Sequence, residues 1–211
     1  MPRRILIKDG GLSASTPMLS GYTVIGSDNG IIKKQVVSTI GNLSGSTHYI
    51  GEQFGGGVVF HLWLDDYGLE NVLIVSNTHI GAANWSNVGS SIGSSARSYF
   101  DGLSNSNAIV AQVAHSSSAA KSCLDLISND QNDWYLPSID ELSLLYQNKF
   151  NVNKTLTNIV GSNVIGNVAY WSSTEFSSTD AMYFNLGFGT LTTINKTTTT
   201  MFFRPVRKFT I

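Results

Sequence analysis

A chain of 211 residues with 13 Lys and Arg, 14 Asp and Glu and a formal net charge of −1 holds one medium domain with an appendage, or two small domains. Apolar residues make up 42% and charged residues only 13%, about half the usual ~25%, so Ser, Thr and Asn carry solubility and no basic face is available for nucleic acid. Cys123 is the sole cysteine, which excludes an intrachain disulfide and a thiolate-rich zinc site.

The chain opens Met1-Pro2-Arg3-Arg4-Ile5-Leu6-Ile7-Lys8-Asp9. A secretory signal needs an apolar run of roughly 7–15 residues, and here Lys8 interrupts after Ile7. No stretch approaches the length of a membrane span, so membrane insertion is not expected. Residues 1–46 differ in character from the rest. Ile5-Leu6-Ile7 is a short strand-like run, and Gly10 to Pro17 reads as loop. Tyr22 to Ile25 and Ile31 to Gln35 predict a small β-hairpin about Asn29-Gly30, with Val36 to Ile40 as an extension and Gly41 to Ser46 as linker. So short a segment buries little alone. It is expected to anchor the chain, to oligomerise it, or to pack on the second domain.

That second domain, residues 47–211, begins with Gly55-Gly56-Gly57 leading into a strand, Val58 to Leu64. A turn at Asp65-Asp66-Tyr67-Gly68 returns it to Val72-Leu73-Ile74-Val75. Trp85 and the glycines and serines to Ser95 predict a long surface loop. The spacing of Ile109, Val110, Val113, Ala119, Ala120, Cys123, Leu124 and Ile127 predicts a helix over 105–127, broken near His115-Ser116-Ser117-Ser118. Cys123 is expected as a small buried hydrophobe there. Ser138, with Glu141 three residues on, is a capping box for a second helix over 139–149, with Leu142, Leu145 and Tyr146 as its apolar stripe. From Val168 the pattern is β. Strands are expected at Tyr170 to Ser173, Ala181 to Leu186 and Met201 to Arg207, with a short one at Leu191 to Ile194 and a turn at Gly187-Phe188-Gly189.

Three motifs stand out: Trp134-Tyr135-Leu136-Pro137-Ser138-Ile139-Asp140-Glu141-Leu142, Tyr170-Trp171-Ser172-Ser173-Thr174-Glu175 and Phe203-Arg204-Pro205-Val206-Arg207. Their order and separation over residues 49–209 resemble the C-terminal domain of the Legionella collagen-like adhesin family. That family is related to C-type-lectin-like and formylglycine-generating-enzyme folds. The resemblance implies an α+β, C-type-lectin-like domain with two helices and a twisted antiparallel sheet, preceded here by the small hairpin segment. It makes Trp134, Leu136, Pro137, Glu141, Trp171, Glu175 and Arg204 the structural signature. A buried indole N–H needs a partner, and a planar guanidinium such as Arg204 can tie a terminal strand to carbonyls or to a carboxylate such as Glu175 or Glu141.

The Glu-Pro-Asn, Gln-Pro-Asp and Trp-Asn-Asp tripeptides of calcium-dependent lectins are absent. Asp65-Asp66 and Asp130 to Asp133 are too few for six to eight oxygen ligands, so no metal and no cofactor is expected. His48, His61, His79 and His115 lack metal spacing or a nucleophile partner, and one helical cysteine does not match formylglycine chemistry. The chain is therefore expected not to be an enzyme. A neutral surface rich in hydroxyls and amides suits uncharged partners, namely host-surface glycans or proteins. Candidate ligand contacts are Phe176, Asn185, Phe188, Thr192, Asn195 and Lys196, in the Phe176–Asp180 segment and the Asn185–Lys196 hairpin. With no export signal or collagen stalk, the sequence is read as a phage virion protein, a head or tail fibre or capsid decoration. It would be a homotrimer by family analogy, docked on a capsid or tail protein through residues 1–46. The alternatives are a bacterial surface adhesin whose signal has been removed and a degenerate formylglycine-generating-enzyme-like protein.

Overall fold

A computed structural model of the chain describes residues 46–78, 81–197 and 199–211, and the backbone of 24–28 and 31–35. Backbone contacts divide the chain into two units, Met1–Thr47 and His48–Ile211. In the first, β1 (Val24–Asp28) and β2 (Ile31–Gln35) form an antiparallel pair in which Asp28 faces Ile31. That is the hairpin expected from the Asn-Gly dipeptide. The Ile5-Leu6-Ile7 run, the Val36–Ile40 extension and nearly all of the linker lie outside the described residues.

The second unit is α+β, with three α-helices and two sheets among the described residues. It opens with β3 (Gln53–Phe54), β4 (Gly57–Leu64) and β5 (Glu70–Ser76). The Asp65 side chain closes the β4–β5 turn by accepting from the backbone N–H groups of Tyr67 and Leu69, both at 2.9 Å. Every residue of β5 is buried because both of its faces are covered. Leu73 and Val75 join one apolar cluster, Val72 and Ile74 another. This explains an apolar run in place of strict alternation. Gly57 is required by close approach: a Cβ there would lie 2.1 Å from the Val75 carbonyl oxygen.

The stretch after β6 (Gly81–Asn84), expected as surface loop, is partly core. Trp85 is fully buried, its indole donating to the Ser172 carbonyl at 2.7 Å, and a 3₁₀ turn covers Gly93–Ala96. The first predicted helix is two short ones, α1 (Gly102–Val110) and α2 (Ala119–Leu124). Ser118 breaks the run by capping α2, its hydroxyl accepting from Lys121 N–H at 2.8 Å. Val113 and Ile127 fall outside both helices and are exposed, whereas Cys123 is buried as expected. The second predicted helix, α3 (Ile139–Leu156), has both halves of its capping box and runs two turns further than Lys149. Leu142, Leu145, Val152 and Leu156 carry its buried stripe into the core.

The C-terminal half supplies β7 (Ala169–Glu175), β8 (Asp180–Asn185), β9 (Thr190–Asn195), β10 (Thr200–Phe203) and β11 (Val206–Thr210). The single strand expected at 201–207 is two strands belonging to different sheets. β10 lies in the five-stranded sheet β6-β10-β7-β8-β9, and β11 in the four-stranded sheet β11-β5-β4-β3. Pro205, which has no N–H for a ladder, sits at the crossing and offers its carbonyl to Ser76 N–H at 3.0 Å. Helix α3 packs against β4, β7 and β8, so a single buried cluster joins the helix to both sheets. Among the described residues, no helix is long and apolar enough to cross a membrane.

Candidate functional site

All seven signature residues are buried. The Arg204 side chain lies between the sheets' loops and donates to the Ser76 carbonyl through Nε (2.9 Å) and Nη2 (2.7 Å), and to the Asn163 carbonyl at 2.8 Å. Of the two partner types expected, it takes carbonyls. Trp171 donates to the Ala83 carbonyl at 2.9 Å, but the Trp134 indole N–H has no partner among the described residues. Apolar neighbours Val59, Val72 and Ile74 surround Trp134, and the Arg207 guanidinium lies over its ring at 5.9 Å. Arg207 itself is held by Asp133, with Nε 2.7 Å from Oδ1 and Nη2 donating to Oδ2 at 2.8 Å.

Glu175, at the end of β7, gathers the loop before α1. Its carboxylate accepts from Ile92 and Gly93 N–H, both at 2.9 Å, from the Arg97 Nε at 3.3 Å and from Lys196 Nζ at 2.7 Å. Burial pushes this carboxyl up. The bonds from Lys196, Ile92 and Gly93 outweigh it and hold the group below its ordinary range. Lys196 therefore corrects an expectation. It is fully buried, bonded to Glu175 and to the Ser90 carbonyl, with its ammonium 5.3 Å over the Trp85 ring, and is no surface contact. The sequence held the signal only in Trp85 and Glu175, whose partners lie far along the chain.

The other candidate contacts do not form one surface. Strand β8 separates the turn holding Phe176 from the turn holding Phe188, and its six residues span about 20 Å. Phe176, 53% exposed, and Asn195 lie at one end, with Asn195 opposite Asp180. Asn195 is turned inward on its own chain, its Oδ1 accepting from Thr197 N–H at 3.0 Å. Phe188, 82% exposed, lies at the other end. There Asn185 is a turn-former: its Oδ1 accepts from Gly187 N–H (2.9 Å) and Phe188 N–H (3.2 Å), which fixes the Phe188 backbone. Thr192 is exposed on β9, the sheet's edge strand.

A separate cleft of about 270 Å³ opens beside the first turn of α3. One wall is sheet: His61 on β4 and Lys208 on β11 flank Leu73 of β5 in register. A β-bulge at Phe60 aims that wall. Phe60 faces α3, and strict alternation would turn His61 and Trp63 away from it. The extra residue keeps both on the helix side. The opposite wall is Asp140, Glu141 and Leu144, and Phe100, 78% exposed, stands at the rim. The rim loop is pinned to the helix start by Asp140 N–H donating to the Tyr99 carbonyl at 3.0 Å.

Glu141 forms part of the cleft and is already committed structurally. Its carboxyl accepts from Ser138 N–H at 2.7 Å and from the Tyr135 hydroxyl at 2.8 Å. Gly102 seals it from behind, since a Cβ there would meet Glu141 Oε2 at 2.4 Å. Burial pushes the Glu141 carboxyl up to about 7, against the hydrogen bonds from Ser138 and Tyr135. Burial also lowers His61 below its ordinary value and raises Asp140. No sequence pattern marks this cleft: its residues come from five segments, and only the tertiary fold joins them. Among the described residues no three His, Cys, Asp or Glu side chains converge to hold a metal ion.

No curated protein matches the chain. The family model of the Lcl C-terminal domain matches residues 77–207, a shorter span than the resemblance suggested, since the β4–β5 hairpin precedes it. That match takes in all three motifs, from Trp134 to Arg207, and well over half of the sequence, and so the chain belongs to the Lcl C-terminal domain family.

Proposed function

We propose that this chain is a non-enzymatic, adhesin-like display protein whose second unit attaches a particle or cell to a host surface, through glycans or proteins. Family membership supports the coarse reading, because the family is associated with bacterial surface proteins. The observation that carries it furthest is Phe188: a large aromatic, 82% exposed, held on a turn whose backbone is fixed by Asn185. An exposed aromatic on a rigid turn loses little entropy on binding, which suits it as a contact anchor. Leu191 and Thr192 of β9 are exposed as well, on opposite faces of that edge strand.

The finer reading is a phage virion protein, a head or tail fibre or capsid decoration, trimeric and docked through residues 1–46. The second reading, a bacterial surface adhesin, is favoured by the family's association. Weak single sites are sufficient in either case, since several copies on one particle multiply avidity. The experiment is adhesion of the full-length chain, displayed on beads, to candidate host cells, beside Phe188→Ala and Phe176→Ala. Loss with Phe188→Ala alone is the expected result; adhesion equal in all three chains sinks the assignment of this face. Light scattering on the full chain tests the trimer, and immunogold labelling of particles and cells separates virion from cell surface.

A further inference from the structure

Three polar heads in the cleft beside α3 have no hydrogen-bond or ion-pair partner among the described residues: the His61 ring, the Asp140 carboxylate and the Lys208 ammonium. Charges buried in the domain have partners, as at Glu175 with Lys196 and Arg207 with Asp133. Trp63 positions two of the three. The His61 ring stacks on it with centroids 5.7 Å apart, and Lys208 Nζ lies 5.0 Å over its ring. The bulge at Phe60 is what brings His61 and Trp63 to this side, and bulges are concentrated where a side chain must be re-aimed beside a functional site.

We propose that this cleft is a binding site for a single neutral sugar ring, distinct from the Phe188 face. A carboxylate that accepts, an ammonium that donates and a neutral imidazole that does both complement adjacent hydroxyl groups. Phe100 offers an exposed aromatic face at the rim on which the apolar side of a pyranose stacks. Charge favours a neutral ligand, because Asp140 and Lys208 set opposite charges on the same cleft and an ion drawn to one meets the other. The volume of about 270 Å³ lies just below the roughly 300–1,000 Å³ of drug-sized small-molecule sites, which suits one ring and not a longer glycan. The proposal deepens the glycan form of the attachment reading and rests on it for biological purpose, though its test does not.

The test is saturation-transfer NMR on the full-length chain with methyl glycosides of glucose, galactose, mannose and N-acetylglucosamine, with methyl phosphate and methylamine as charged controls. At least one glycoside is expected to bind, with Kd on the order of 1 mM. Asp140→Ala should weaken it roughly tenfold, as for loss of a charged hydrogen-bond partner. Lys208→Met and Phe100→Ala should weaken it less, and Phe188→Ala should leave it unchanged. All four positions are exposed, and circular dichroism with an unchanged melting curve confirms that each variant is folded. The site is overturned if no glycoside binds, if binding survives Asp140→Ala and Lys208→Met together, or if Phe188→Ala abolishes it. Tighter binding of methyl phosphate or methylamine overturns the ligand class. Beads that adhere to cells through Phe188 while no glycoside binds defeat this proposal and leave the attachment reading standing. Glycoside binding lost in Asp140→Ala, on a chain that adheres to nothing, does the reverse.

Discussion

Glu175 and Glu141 are both almost completely buried, 2% and 6% exposed, yet their surroundings drive them in opposite directions. Around Glu175 two cations and two backbone N–H groups converge, so the charged form is held and the loop from Ser90 to Arg97 closes over it. Around Glu141 the donors are the neutral Ser138 N–H and Tyr135 hydroxyl, so burial prevails and the carboxyl rises to about 7. The first region uses its charges internally, on its own loop. The second keeps an open cleft whose polar heads are unused by the fold. Burial alone does not distinguish a scaffold carboxylate from one beside a binding site; the inventory of partners does.

The largest way to break the Glu175 side is Lys196→Met. It leaves a buried carboxylate with Arg97, the Ser91 hydroxyl and the backbone donors, and is expected to cost about 3 kcal/mol in urea unfolding. Adding Glu175→Gln to that variant should recover part of the loss, because no charge is then stranded. Single-variant behaviour from the double mutant would show that the pair is not coupled.

The pH dependence of stability sharpens the comparison with a similar magnitude. Glu141 has a folded-state pKa of about 7 against an ordinary 4.5. Above the ordinary value the unfolded chain loses this proton while the folded chain keeps it. Its contribution therefore falls as pH rises through 4.5 to about 7, by roughly 3 kcal/mol. Glu175 has the opposite sign: its depressed value lends stability above the ordinary carboxylate range, lost as pH falls below it. Urea midpoints across pH should show the Glu141 decline removed in Glu141→Gln and retained in Glu175→Gln. A smaller effect is expected from Ser138→Ala, about 1 kcal/mol for a lost helix cap. Phe188→Ala should change stability by under ~0.5 kcal/mol, so that any loss of adhesion reports on binding.

Local patterns make much of this domain readable. The Ser138–Glu141 capping box places the start of α3 because both halves of the motif act within one turn. The apolar runs of β4 and β5 and the Asp65–Gly68 turn likewise depend on neighbouring residues. The end of α3 is hidden because Phe150, 78% exposed, interrupts the visible stripe before Val152 and Leu156 resume it. Lys196 reads as a surface contact because its partner Glu175 lies two strands and two turns earlier in the chain, where sequence spacing carries no sign of burial.

The sequence by itself determined the α+β class, the family, the helix cap and the hairpins, since these follow from short-range periodicity, turn chemistry and motif order. Only the tertiary structure decided that 200–210 divides between two sheets, that Phe176 and Phe188 lie at opposite ends of β8, and that His61, Trp63, Asp140 and Lys208 share a cleft. The physical reason is pairing distance. One bulged residue at Phe60 sets which face His61 presents, and the strand ladder joins Leu73 to Lys208 across the length of the domain. Such choices depend on which partner a strand finds, and no local pattern records that.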